Sequence, residues 1–328
     1  LPPNVAYIGI VTCICTFVGL VMNMYYTRLL VPDIRLKKCY VHWIKVKELI
    51  SAGMWNSISR LSQVLSDGLD LVITNIWISA YLMGELSIAQ QIPTYISTLI
   101  NTLINLFSPN LTMYYAKDDT EAVVKELKLS MKFSSFFVNI IFCILVIFGK
   151  YFMQLWVPNQ DVNLIYSLLV VIMMSLLVSG VTTSLNNVFL VTNRLNSIFW
   201  LIISFTNVLL VFIFLNTTSL GIYAVAGVSK VTGILGNLIF VPLYACKCLK
   251  IKWNTFYPII FRYIGTTFIM MIVFFGIKRL YVLPINWITF FVVCVIAGVA
   301  GCIVNFFVLL NHTERSIMKN KIMARVRK

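Results

Sequence analysis

The sequence predicts an all-α, polytopic membrane protein, a bundle of about nine transmembrane helices. Of its 328 residues, 60% are hydrophobic and only 11% are charged, whereas soluble domains carry about 25% charged residues. The mean hydropathy is +0.91. The apolar residues also fall into runs of roughly 20, which is the length that crosses a bilayer core.

Nine apolar stretches give the predicted spans. They cover residues 5–26, 49–81, 88–114, 129–148, 164–191, 198–215, 222–244, 257–277 and 287–310. The connections between them are short, so none can hold a soluble catalytic domain. Because Leu1 is not a start methionine and no signal peptide precedes the first span, we expect the chain to begin inside a larger protein.

The net charge of +15 is distributed asymmetrically between alternate loops. One set of loops carries Arg28, Arg35, Lys37, Lys38, Lys45, Lys47, Lys117, Lys125, Lys128, Arg194, Lys247, Lys250 and Lys252, and the tail adds Arg315, Lys319, Lys321, Arg325, Arg327 and Lys328. The alternate loops hold only Lys150, Lys278 and Arg279. The positive-inside rule therefore places the C-terminus in the cytoplasm, and no basic patch of the kind that binds nucleic acid is predicted.

The second span carries a polar stripe. Its members are Asn56, Arg60, Gln63, Asp67, Asp70 and Thr74. Their spacings of three and four residues place them on one helix face. Because each charge at the bilayer centre costs about 3 kcal/mol on insertion scales, this face must contact protein or water rather than lipid.

Further stripes occur in later spans. The third span carries Gln90, Thr94, Ser97, Asn101, Asn105 and Ser108; the fifth carries Ser175, Ser179, Thr183 and Asn186; the seventh carries Lys230 and Asn237. Several stripes in one bundle predict a shared hydrated cavity. The alternative is that these side chains only join helices, with Arg60 paired to an aspartate or extended to the interface.

Within the predicted cavity, the charged residues suggest two roles. Asp67 and Asp70 lie three residues apart on one face, and two carboxylates this close suit the binding of a coupling ion, H⁺ or Na⁺. Arg60 and Lys230 supply positive charge for an anionic head group such as a diphosphate. Gln63, Asn101 and Asn105 complete the predicted substrate-binding set.

A family resemblance rests on an ordered series of short motifs. They are Ser51-Ala52-Gly53-Met54-Trp55-Asn56, then Asp70 with Ile73, Met83-Gly84 with Ser87 and Ala89, Ser108-Pro109-Asn110-Leu111, and Phe148-Gly149. In this order the chain resembles the second half of a Wzx-type polysaccharide flippase, in the MATE-like multidrug/oligosaccharidyl-lipid/polysaccharide exporter superfamily. Leu86 departs from the pattern, because the family usually has an aromatic residue there.

The resemblance implies two six-helix bundles around a central cavity, with two extra C-terminal helices. The chain would then divide into the last N-terminal span with a basic loop (1–48), the second bundle (49–252), two additional spans (253–310) and a cytoplasmic tail (311–328). The implied activity is flipping of undecaprenyl-diphosphate-linked oligosaccharide, an O-antigen, capsule or exopolysaccharide unit, across the bacterial inner membrane by alternating access. A polysaccharide polymerase and chain-length machinery are the implied protein partners, besides membrane lipids.

Three alternatives to a flippase are a MATE-type cation-coupled exporter of drugs or metabolites, a membrane enzyme of polysaccharide synthesis, and a scaffold. An enzyme is disfavoured because His42 and His312 both lie in or beside predicted cytoplasmic loops, and no nucleotide-binding or hydrolase motif is present. A scaffold would have no use for polar helix faces. No cofactor or metal is expected, since Cys246-Lys247-Cys248 lacks the further ligands of a zinc site.

Overall fold

The computed structural model describes residues 5–30, 68–192, 197–280 and 286–309, with isolated residues between 43 and 64. Contacts divide the chain into two units, Leu1–Asn56 and Ser57–Lys328. The first unit contains helix α1, Val5–Leu30. Large apolar side chains such as Phe17 and Leu20 are exposed on it, so α1 has the surface of a helix that contacts lipid or another protein segment.

The described part of the second unit is built from helices. They are α2 (Leu69–Trp77), α3 (Ala80–Asn105), α4 (Ser108–Ala116), α5 (Thr120–Trp156), α6 (Val162–Thr182), α7 (Asn186–Val191), α8 (Ser197–Thr217), α9 (Ile222–Leu235), α10 (Val241–Cys248), α11 (Tyr257–Leu280) and α12 (Trp287–Val308). A 3₁₀ turn, Thr183–Leu185, joins α6 to α7, and a π-helical segment, Gly236–Phe240, joins α9 to α10. No strand occurs in the described ranges.

Seven of the described helical stretches are long and apolar enough to cross a membrane. They are Gly9–Leu30, Thr120–Trp156, Val162–Val191, Phe199–Thr217, Ile222–Cys248, Tyr257–Arg279 and Trp287–Val308. They match seven of the nine predicted spans, and the all-α, multi-pass fold class is confirmed. The predicted span 49–81 is described continuously only from residue 68 onward.

The predicted span 88–114 is divided between two helices. Helix α3 begins at Ala80 and ends at Asn105, and α4 begins at Ser108. Pro109 lies in the first turn of α4, where its missing backbone N–H leaves no helical hydrogen bond unmade. With 26 residues, α3 is about 39 Å long, enough to cross the bilayer core despite its polar composition.

Helix α6 lies at the centre of the second unit. It packs against α5, α3 and α9, while α2 packs against α3 and α9, and α8 packs against α9. Close approach of α5 and α6 depends on Gly180, where an added Cβ would lie 2.7 Å from Val138 Cγ1. Small residues at such crossings let helix backbones come together in membranes.

The two C-terminal helices pack on α5. Both α11 and α12 contact α5 and each other. Lys278 Nζ donates to the Ile147 carbonyl at 2.9 Å and lies 5.5 Å from the centre of the Tyr151 ring. Arg262 Nε donates to the Val308 carbonyl at 2.8 Å, which joins α11 to α12. The predicted division at residues 252 and 253 stays a prediction.

Candidate functional site

Asp70 is a buried carboxylate at the junction of α2 and α9. Its side chain is 3% exposed. The Ser229 hydroxyl of α9 donates to it, with Oγ 2.8 Å from both Oδ1 and Oδ2. The same Oγ lies 2.9 Å from the Val225 carbonyl, so its single proton is shared among three acceptors. A carboxylate held this way inside a membrane bundle is a functional candidate by default.

Lys230 is the next residue of α9 and is half-buried. A cationic residue therefore directly follows Ser229, the residue that donates to Asp70. We call Asp70, Ser229 and Lys230 the charged cluster. Asp70 and Ser229 meet through hydrogen bonds, whereas Lys230 belongs to the cluster by its place next to Ser229 in the chain.

Helix α3 presents a polar face outside the packed interior of the second unit. Its buried face carries Leu86, Ala89, Ile96, Ile100 and Ile104, at the three- and four-residue spacing of one helix side. Its exposed side carries a polar set, defined here as the α3 polar face: Thr94, Thr98, Asn101, Thr102 and Asn105. Because α3 packs against α6, a candidate span, we expect this face to lie at membrane depth.

The hydroxyls of the α3 polar face are turned back to their own helix. Thr98 Oγ1 donates to the Thr94 carbonyl at 2.9 Å, and Thr102 Oγ1 donates to the Thr98 carbonyl at 2.9 Å. Each hydroxyl keeps its acceptor capacity. Asn101 and Asn105, both predicted substrate-binding residues, are exposed beside them, so donors and acceptors line this face.

The stripe on α9 continues past the charged cluster. Thr232 Oγ1 donates to Asn207 Oδ1 of α8 at 2.7 Å, and Thr182 Oγ1 of α6 donates to Asn237 Oδ1 at 3.3 Å. Residues 229, 232 and 237 recur at helical spacing, so one face of α9 and its π-helical extension carries polar contacts to three neighbours. A π segment within a helix frequently marks a functional position.

The chain can be compared with protein families, with known sequences and with solved structures. No protein-family model matches the chain. The uncharacterized membrane protein EpsK of Bacillus subtilis strain 168 is 24% identical over 256 residues, which are 77% of this chain and 50% of EpsK. Among solved structures, lipid II flippase MurJ in its inward closed conformation superposes with a TM-score of 0.58 at 16% identity, covering 88% of this chain and 59% of MurJ.

The chain shares its fold with a flippase. At this level of identity the likeness concerns the fold alone, and the chain spans half the length of EpsK and about three fifths of MurJ. The two similar proteins are a membrane protein and a lipid II flippase. In that fold, the polar side chains described above lie within a multi-pass helix bundle.

Three predicted site residues lie outside the described residues: Arg60, Gln63 and Asp67. Their roles, and the predicted pairing of Asp67 with Asp70, stay predictions. Of the other four, the structure places Asp70 and Lys230 in the charged cluster, while Asn101 and Asn105 lie on the α3 polar face. Within the described ranges, no group of three or more His, Cys, Asp or Glu side chains could hold a metal ion.

The structure also shows a buried neutral network that the sequence did not indicate. Asn139 Nδ2 donates to Asn305 Oδ1 at 3.2 Å, Asn305 Nδ2 donates to the Phe136 carbonyl at 3.0 Å, and the Thr267 hydroxyl donates to Asn139 Oδ1. We call Asn139, Thr267 and Asn305 the asparagine cluster. It joins α5, α11 and α12, and its signal in the sequence was a lone asparagine in the apolar spans of α5 and α12.

A second unexpected residue is Glu85 on α3. It is 1% exposed, and its Oε1 accepts weakly from the Asp161 backbone N–H at 3.5 Å. Its Oε2 has no hydrogen-bond partner among the described atoms. Glu85 was not predicted because it stands alone in the sequence, outside any polar stripe.

Proposed function

We propose that the chain is part of a Wzx-type transporter that flips undecaprenyl-diphosphate-linked oligosaccharide across the bacterial inner membrane. The repeat unit carried would be an O-antigen, capsule or exopolysaccharide unit. The observation that carries this proposal is the α3 polar face, because a helix that buries apolar residues and exposes polar ones at membrane depth needs water or a polar cargo beside it. The shared fold with lipid II flippase MurJ supports a lipid-linked saccharide as that cargo.

In this proposal the cargo contacts the α3 polar face through its sugars. Asn101 and Asn105 offer carboxamide donors and acceptors, and Tyr95, whose side chain is 65% exposed on the same helix, offers a ring for stacking. Lys230, together with Arg60, would attract the diphosphate. Gln63 would add a further hydrogen bond from the second predicted span.

The charged cluster would supply the coupling between an ion and the transport cycle. Asp70, with Asp67, would bind H⁺ or Na⁺. Binding of a cation at Asp70 would compete with the Ser229 hydroxyl and so loosen the contact between α2 and α9. Alternating access would then follow from the movement of this bundle relative to the other half of the full-length protein.

The orientation and partners of the transporter belong to the same proposal. The charge asymmetry of the loops supports a cytoplasmic C-terminus. A flippase of this kind would deliver its product to a polysaccharide polymerase and chain-length machinery on the other side of the membrane.

The test is complementation of a host that lacks its own flippase with the full-length gene. We expect the double variant Asn101→Leu/Asn105→Leu to abolish surface polysaccharide, seen on a gel, while its membrane abundance stays near that of the wild type. Thr206→Leu is the matched control, because Thr206 is an exposed polar residue on α8 with the same kind of back-bond to its own helix. Equal polysaccharide from both variants would contradict the proposed cargo face.

The same cells separate the flippase from the exporter. If the full-length gene restores no polysaccharide but raises resistance to cationic drugs, the protein is a MATE-type exporter instead. The Asp70→Asn variant should then lose the resistance, since both activities would depend on the same carboxylate.

A further inference from the structure

An apolar groove lies on the face where α8 meets the end of α9. Its volume is about 570 Å³, within the usual range of ligand-sized cavities. Phe199 and Ile203 of α8 form one wall, and Leu235 and Ile239 form the other. Both Leu235 and Ile239 are 51% exposed, so the groove is open along its length rather than enclosed.

Gly236 lines the groove where α8 comes close to this helix. An added Cβ there would lie 3.2 Å from Ile203 Cδ1 and 3.4 Å from the Trp200 ring, so glycine lets α8 approach the start of the π segment. Beyond it, the Phe240 ring stacks on Phe199 at an angle of 12° and on Tyr244 at 14°. The groove floor is therefore flat and apolar.

The groove is oriented along the helix axis. It extends from Thr232 to Lys247, which is about 22 Å of helix at 1.5 Å per residue. One leaflet of a bilayer core is about 15 Å deep. The groove is thus long enough to hold one hydrocarbon chain from the surface of a leaflet to its middle.

One end of the groove is strongly basic. Lys247 lines it, and Lys250 and Lys252 are exposed on the turn that follows. The sequence from Val162 to Thr313 contains no acidic residue, so this stretch provides no carboxylate of its own to these lysines. Basic pockets between transmembrane helices bind acidic lipid head groups.

We propose that this groove binds an anionic phospholipid of the leaflet at the basic end. One acyl chain lies along Leu235 and Ile239, and the phosphate contacts Lys247. The lysines that follow hold the lipid surface close to this end of the helix. The site is independent of the cargo face proposed above, because it is formed by α8, α9 and α10 and is lined by apolar side chains.

The experiment is native mass spectrometry of the full-length protein in detergent with phosphatidylglycerol or phosphatidylcholine of identical chains. We expect wild type to retain phosphatidylglycerol about tenfold more than phosphatidylcholine. Lys247→Gln should remove this preference, whereas Lys252→Gln, which removes an equal charge outside the groove, should keep most of it. Equal retention of the two lipids by wild type, or equal preference in the two lysine variants, would overturn the proposal.

A second pair of variants tests the hydrocarbon chain separately from the charge. Leu235→Trp fills the groove and should lower retention of both lipids several-fold. Ile269→Trp is the control, because Ile269 is 44% exposed on α11 and does not line the groove. Thermal unfolding checks that each variant is folded, and Ile239→Trp replaces Leu235→Trp if that variant is not. Equal lipid retention by the filled and control variants would show that no chain occupies the groove.

Discussion

The charged cluster and the asparagine cluster both contain buried polar groups, but the first holds a carboxylate and the second is neutral. In the asparagine cluster, both carboxamides and the Thr267 hydroxyl have partners, and every member is neutral. In the charged cluster, one serine proton faces two carboxylate oxygens and a carbonyl. A neutral network of this kind fixes helices to one another, whereas a buried carboxylate can bind a cation.

The helices also differ in whether their exposed side chains are apolar or polar. Near the asparagine cluster, α11 and α12 expose apolar side chains, including Phe268, Ile272 and Val295, as expected of helices in lipid. In contrast, α3 exposes Asn101 and Asn105. We infer that α11 and α12 face lipid and stay fixed. We infer that α2, α3 and α9 are the helices that take part in transport.

The largest expected effect is on transport, from Asp70→Asn. The substitution keeps the size of the side chain and an acceptor for Ser229, but it removes the charge, so we expect transport per folded molecule to fall at least about tenfold. Complementation normalised to membrane abundance measures it. Transport at wild-type level would return Asp70 to a purely structural role.

Next in size is the effect of Asn305→Leu on stability. It leaves the Asn139 side-chain N–H without its acceptor and removes a donor from the Phe136 carbonyl, which costs about 1–3 kcal/mol for a buried polar group. We expect a lower midpoint of thermal unfolding in detergent, with transport per folded molecule retained. A variant that unfolds normally but does not transport would remove the distinction between the two clusters.

A smaller effect on stability is expected from a pair of glycines on α12. At Gly301 an added Cβ would lie 2.9 Å from Ile140 Cγ1, whereas at Gly298 nothing lies within 4 Å. Overpacking costs about 1–3 kcal/mol, and part of this is offset by the better helix propensity of alanine. Gly301→Ala should therefore unfold at lower temperature than Gly298→Ala, and the opposite order would show that α12 does not pack on α5 as described.

The smallest expected effect compares two threonines with the same back-bond on different faces. Thr98 and Thr206 are both exposed and donate to the fourth preceding carbonyl at 2.9 Å. Thr98→Val removes an acceptor from the α3 polar face and should lower transport about twofold, while Thr206→Val should leave it unchanged. Initial rates of lipid-linked oligosaccharide flipping in reconstituted vesicles would resolve such a difference. Equal rates would mean that the hydroxyls do not contact the cargo.

Much of the fold could be predicted because hydrophobic length and period are local properties of the chain. Seven predicted spans coincide with apolar helices. Of the stripe predicted for the third span, Thr94, Asn101 and Asn105 are exposed on α3, whereas Gln90 and Ser97 are half-buried and Ser108 lies on α4. The break at residues 106 and 107 was missed, although Pro109 was a local signal for it. The spans were predicted from the length of apolar runs, and that criterion gives no weight to a single proline within a run.

The pairings within the site could not be predicted, because they join residues far apart in the chain. Asp70 meets Ser229 across 159 positions, and Asn139 meets Asn305 across 166. Ser229 adjoins Lys230, which was a predicted site residue, so this part of α9 was indicated. No local sequence pattern, however, shows which serine of an apolar span contacts a carboxylate. Only the packing of α2 against α9 decides that.

The central claim is that the α3 polar face borders water or cargo while α12 borders lipid. The most direct measurement is modification by a membrane-impermeant maleimide of single cysteines in an otherwise cysteine-free full-length protein that still transports. The substitutions are Asn101→Cys and Asn105→Cys, compared with Val295→Cys and Val299→Cys on α12, all four exposed. We predict fast modification of the first pair and almost none of the second, because thiols within lipid do not meet a charged reagent. Equal protection of both pairs would contradict the account.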